Sequence, residues 1–187
     1  MSRLLGLLII LSVLVPFTAR AEAPVKQPDL ISFGGGYFDF DKDEPRKKSG
    51  DMRLEYRWGL SMLPLVSSYF NSWDKYVQFH PYAGVEFTTR GLAYVNGGWA
   101  MDAYIGRNFI FTWSEGVGFL HPGNTAPLGS FIEFRSQAEL GYRFDNEMRL
   151  TAQISHISNA GITKRNPGAE IIGLYWHVPT EWFCSRK

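Results

Sequence analysis

The chain has 187 residues, 45% of them hydrophobic and 16% aromatic, with 19 glycines and a formal net charge of +1. A charge so close to zero gives no electrostatic reason to expect a nucleic-acid partner. The single cysteine, Cys184, excludes an intramolecular disulfide and reads as a bystander thiol, because its sequence surroundings supply neither a base nor an electropositive setting.

Residues 1–21 read as a secretory signal. Arg3 gives the positive start, Leu4 to Pro16 is an apolar run too short to span a bilayer, and Ala19-Arg20-Ala21 is a small-x-small cleavage site. Losing Arg3 and Arg20 leaves 17 basic against 18 acidic residues, and no cysteine near the cut offers a lipid anchor. Residues 22–187 then form one domain. No later segment resembles a spanning helix, so a membrane form of this chain must be a closed barrel, which alone pairs every strand's backbone groups in lipid.

Eight candidate strands follow in order. Leu30 to Phe40 is apolar and glycine-rich, and Lys42 to Asp51 reads as an exposed charged loop. In the second strand Met52, Leu54, Tyr56 and Trp58 alternate with Arg53, Glu55 and Arg57. Leu60 to Tyr76 is a long connection with no clear pattern. Val77 to Thr88 alternates but contains Pro81, which weighs against an early start of that strand. A turn at Thr89-Arg90-Gly91 leads to Val95–Ile105, and a turn at Arg107-Asn108 leads to Phe109–Phe119. Glu115 breaks the apolar face of this fifth strand, a flaw that a bulge or the end of the membrane zone would explain. After a loop from His121 to Leu128, the sixth strand sets Ile132, Phe134, Ser136, Ala138, Leu140, Tyr142 and Phe144 against Glu133, Arg135, Gln137, Glu139 and Arg143. A turn at Asp145-Asn146 precedes Met148–Ser158, and the eighth strand runs from Glu170 towards Val178.

Charged faces on strands two and six fit a small barrel filled by ion-paired side chains, and short turns alternating with longer loops fit an outer-membrane barrel. The fold expected is therefore all-β, an eight-stranded antiparallel transmembrane β-barrel following a cleaved signal peptide, located in the bacterial outer membrane. The chain departs from such barrels at its end, where Trp182-Phe183 is followed by Cys184-Ser185-Arg186-Lys187 in place of a terminal aromatic. Monomer and homodimer are both compatible with the sequence.

Chemistry concentrates between His156 and Glu170. His156 and Ser158 are two apart, so on a strand both point to one face, and a hairpin can return Glu170 beside them. A serine hydroxyl needs an imidazole to take its proton, and the imidazole is oriented best by a carboxylate. By parity these three residues share the apolar, lipid-facing side, where ionisable groups are expensive and usually functional. Asn159, with the backbone N–H groups of Ala160 and Gly161, offers either oxyanion donors or turn chemistry. Asn166-Pro167-Gly168 reads as the turn that delivers Glu170. His80, His121 and His177 read as structural, for want of partners at catalytic spacing. Lys164, Arg165 and the cluster Arg46-Lys47-Lys48 are loop charges within reach of phosphates or merely solvated.

The run His156-Ile-Ser-Asn-Ala160, followed by Asn166-Pro-Gly-Ala-Glu170, resembles the signature of the lipid A 3-O-deacylases of Gram-negative outer membranes (the PagL type). The resemblance extends upstream through Glu133-Phe-Arg-Ser136 and Glu139-Leu-Gly-Tyr-Arg-Phe144, and more faintly to His80–Glu86 and Arg53–Arg57. It implies hydrolysis of the ester at the 3-position of lipid A, with Ser158 as nucleophile, His156 as base and then acid, and Glu170 orienting His156. The released product would be a 3-hydroxy fatty acid and the substrate a lipopolysaccharide drawn from the bilayer. No cofactor is expected, and no cluster shows metal-ligand spacing. Two rivals remain at this stage: a non-catalytic small outer-membrane barrel with a binding or structural role, and a soluble calycin-like barrel carrying an apolar ligand.

Overall fold

The computed structural model describes residues 27–41, 48–62, 76–125 and 127–184. The expected signal at 1–21 lies outside them, as do most of the connection after Leu60 and the basic residues Arg46 and Lys47. Eight antiparallel strands close on themselves in sequence order, β1 pairing with both β2 and β8. They are β1 (Leu30–Phe38), β2 (Ser49–Arg57), β3 (Val77–Thr88), β4 (Ala93–Ile105), β5 (Phe109–His121), β6 (Ile132–Arg143), β7 (Arg149–Ser158) and β8 (Ala169–Pro179). Closure leaves no edge of unpaired backbone, the condition a sheet must meet in hydrocarbon.

Alternation decides which way each strand faces. Met52, Leu54, Phe87, Val95, Phe119, Leu140, Ile154, Ile172 and Leu174 all point outward and are exposed, whereas Arg53, Glu55, Arg57, Arg135, Glu139 and Arg149 are buried inside. This inverts a soluble barrel, whose charges meet water and whose apolar face forms the core. Interior carboxylates and arginines pair across the lumen. Arg57 bridges Glu55 (3.0 Å), Glu139 (3.1 Å) and Asp102 (3.4 Å), Arg149 meets Asp102 at 2.6 Å, and Arg135 meets Glu55 at 2.9 Å. Gln27 extends the network at the end where the chain enters, accepting from Arg149 at 2.8 Å.

The lumen is not charged throughout. Phe38, Leu92, Tyr94, Leu120, Leu128, Ile157, Ala169 and Ile171 form a buried apolar cluster at the end carrying the β5–β6 and β7–β8 loops. Burying several large side chains there, at roughly 1.5–3 kcal/mol each, anchors the tips of β7 and β8.

Several sequence expectations shift. β1 ends at Phe38 and β2 begins at Ser49, so the connection between them lies earlier in the chain than Lys42–Asp51. Pro81 lies inside β3, just beyond the last β2–β3 ladder pair, Arg57↔Tyr82. Its carbonyl faces β2 and accepts from Trp58 N at 3.1 Å, so the missing N–H interrupts no β3–β4 bond. Glu115 is not accommodated by a bulge. It is the central residue of β5, opposite Trp99 on β4 and Ser136 on β6 in unbroken ladders. After β8 the chain forms a single helical turn, α1 (Glu181–Cys184).

Candidate active site

β7 and β8 are joined by a loop of residues 159–168, and their register sets His156 directly opposite Glu170. The inward neighbours Ile157, Ala169 and Ile171 are fully buried in the apolar cluster, which forces His156, Ser158 and Glu170 to the outside. His156 Nδ1 and Glu170 Oε1 are 2.6 Å apart, with 45% and 33% of the side chains exposed. Beside an ionised carboxylate Nδ1 carries the proton, which leaves Nε2 as the basic nitrogen. Ser158 follows on the same face as the last residue of β7, half-buried and opposite Phe134.

Gly168 stands behind the imidazole. Its φ is +62°, and a Cβ built there would lie 2.8 Å from His156 Cε1 and 3.4 Å from Nε2. Glycine is required on both counts, for the left-handed backbone and for the ring's space.

The loop is a built structure, not a tether. Asn159 to Ile162 form a tight turn closed by Ile162 N to Asn159 O at 3.0 Å, with positive φ at Ala160 (51°) and Gly161 (83°). Positive φ at both central positions is the type I′ pattern. The Asn159 side chain is fully buried. Its amide donates to Arg165 O (2.9 Å), Thr163 Oγ1 (3.0 Å) and Leu128 O (3.4 Å), and its Oδ1 accepts from Gly161 N at 3.0 Å. Asn166 Oδ1 accepts from Asn159 N at 3.1 Å. The whole Asn159 amide is engaged within and beneath the loop. The Gly161 N–H is likewise engaged.

A second Ser-His-Glu set was not legible in the sequence. Inside the barrel His177 Nδ1 lies 2.7 Å from Ser32 Oγ, while its Nε2 lies 3.0 Å from Thr151 Oγ1 and 3.1 Å from Glu139 Oε2. Only barrel closure brings β1, β6, β7 and β8 together, so no sequence spacing announces the set. His177 and Glu139 are each 1% exposed, sealed from any substrate, and serve the interior network. His80 is buried 3.9 Å from Asp102, also within that network.

The profile of the lipid A 3-O-deacylase (PagL) family matches residues 35–179, nearly the whole barrel. The chain belongs to that family. It is an outer-membrane enzyme, a lipid A 3-O-deacylase. Among solved structures, one described as the outer membrane enzyme PagL has a TM-score of 0.64 at 18% identity, covering 80% of this chain and 99% of its own. A de novo designed transmembrane β-barrel has a TM-score of 0.50 at 14% identity, covering 84% of this chain and 99% of its own. At these identities the structural likeness speaks for the eight-stranded fold. No curated protein sequence matches the chain.

Proposed function

We propose that this deacylase cleaves the 3-O-linked 3-hydroxyacyl chain of lipid A with Ser158 as nucleophile, His156 as general base and Glu170 as its orienting carboxylate. The carrying observation is the 2.6 Å His156–Glu170 pair on the lipid-facing surface, two residues from an outward serine. Ionisable side chains are costly on such a surface unless they act there. Ser158 Oγ attacks the ester carbonyl as His156 Nε2 takes its proton, and the imidazolium is stabilised by Glu170. His156 returns that proton to the departing sugar oxygen. Water, activated by the same imidazole, then hydrolyses the acyl-enzyme and releases the hydroxy acid. The Ala160 N–H, presented by the strained turn immediately after Ser158, is our candidate oxyanion donor.

The headgroup would lie across the outer loops. A cleft of about 460 Å³ between the β5–β6 and β7–β8 loops is lined by Leu120, His121, Leu128, Phe131 and Arg165. Arg165 there has the planar fork suited to a phosphate.

Mass spectrometry of lipid A from Gram-negative cells expressing the protein tests the reading. One 3-hydroxyacyl mass should be lost with the wild type and retained with Ser158→Ala. In micelles, Ser158→Ala and His156→Ala should each reduce kcat by on the order of 10⁴-fold. Undiminished deacylation by Ser158→Ala would refute the mechanism.

A further inference from the structure

Glu115 is a carboxylate at the middle of a strand on the face that meets hydrocarbon, flanked outward by Trp113 and Val117. Trp113 Nε1 donates to its Oε1 at 2.9 Å, and Ser136 Oγ donates to its Oε2 at 2.8 Å. The ladders give this pair a definite address. Glu115 is opposite Ser136, Ser136 is opposite His156, and His156 is opposite Glu170. One cross-strand row thus carries four polar residues across an otherwise apolar wall, starting at the proposed catalytic pair and ending at mid-strand.

Hydrocarbon offers no hydrogen-bond donors, and a carboxylate on such a surface destabilises a barrel unless it has a use. Two donors fill only part of the acceptor capacity of a carboxylate and a hydroxyl. Because Ser136 donates its proton to Glu115, its oxygen lone pairs are left to face the rest of the row as acceptors. Ser158 pairs with Phe134, two residues from Ser136, so Ser136 is its diagonal neighbour, about 7–8 Å away across the β6–β7 ladder. That is a few bonds from a carbonyl held at Ser158 Oγ, on the side leading towards the bilayer centre, where an acyl chain runs and a sugar does not.

We propose that Glu115 and Ser136 form a subsite that accepts a hydrogen bond from a hydroxyl on the acyl chain near its ester carbonyl, making the protein selective for hydroxyacyl over plain acyl esters. The inference rests on the deacylase reading and assigns the chain-recognition residues within it. Ser136 makes the contact, and Glu115 holds the serine hydroxyl in its accepting orientation. A site built to bind a hydroxyl discriminates strongly against the analogue that lacks it.

The test uses two synthetic 3-O-acyl glucosamines in detergent micelles, one bearing a 3-hydroxytetradecanoyl chain and one a tetradecanoyl chain. The wild type should favour the hydroxylated ester by at least about tenfold in kcat/KM. Ser136→Ala and Glu115→Leu should each bring that ratio close to one. Both substitutions leave a more lipid-like surface, so folding, read from heat-modifiable gel migration, is expected to persist. An unselective wild type overturns the proposal, as does a variant that slows both esters by one factor and keeps the ratio. Hydrolysis of neither ester by the wild type would remove the deacylase reading and this subsite with it, an outcome distinct from unselective hydrolysis.

Discussion

At the scale of single residues, the candidate site depends on a ring held from two sides. Glu170 holds His156 through Nδ1 at 2.6 Å, and Gly168 leaves room for the edge bearing Cε1 and Nε2. Gly168→Ala therefore strains a φ of +62° and presses a methyl group against the imidazole. Displacing a base by a fraction of an ångström costs catalysis far more than stability, so kcat should fall on the order of 10²-fold. Heat-modifiable gel migration should still report a folded barrel. A variant with full kcat would mean that His156 is not the base. Glu170→Gln keeps the size of the side chain but loses the charge that stabilises the imidazolium, and kcat should fall by roughly 10²–10⁴-fold with KM little changed.

At the scale of elements, the β7–β8 loop is held by Asn159, which joins residues of the β5–β6 and β7–β8 loops. Its four side-chain hydrogen bonds reach Leu128 on the β5–β6 loop as well as Gly161, Thr163 and Arg165 on its own. Asn159→Ala leaves buried backbone groups unsatisfied, at a cost of about 1–3 kcal/mol. Limited proteolysis should then cut between residues 159 and 168, and the unfolding temperature in micelles should fall. An oxyanion donor behaves differently: its loss lowers kcat by roughly 10²–10³-fold with the loop intact. A protease-resistant Asn159→Ala barrel with such a kcat defect would move Asn159 into the catalytic apparatus.

At the scale of the whole molecule, charges inside and apolar residues outside are two halves of one adaptation to lipid. Asp102 accepts from Arg149 at 2.6 Å and Thr112 at 2.7 Å, and faces Arg57 at 3.4 Å. Asp102→Leu strands buried guanidinium charge, and urea unfolding in micelles should register a loss of about 3–5 kcal/mol. Leu174, the central residue of β8, is 58% exposed on the outer wall. Leu174→Arg should destabilise the folded barrel in bilayers by roughly 2–4 kcal/mol, measured by reversible unfolding in vesicles. A soluble carrier barrel would tolerate that exposed arginine, so the sign of this result separates the two architectures.

The sequence by itself determined the strands, their faces and the proposed catalytic trio, because each depends only on period-two alternation and spacing. His156, Ser158 and Glu170 were legible since two lie on one strand and the third opens the next. Tertiary structure alone decided what depends on register between strands distant in sequence. Closure brought Ser32, His177 and Glu139 together in a sealed lumen, and the ladders aligned Glu115 and Ser136 with His156. Period two says which face a side chain takes but not how far along the neighbouring strand its partner stands. Glu115 therefore read as a flaw in an apolar pattern until β6 and β7 were placed beside it.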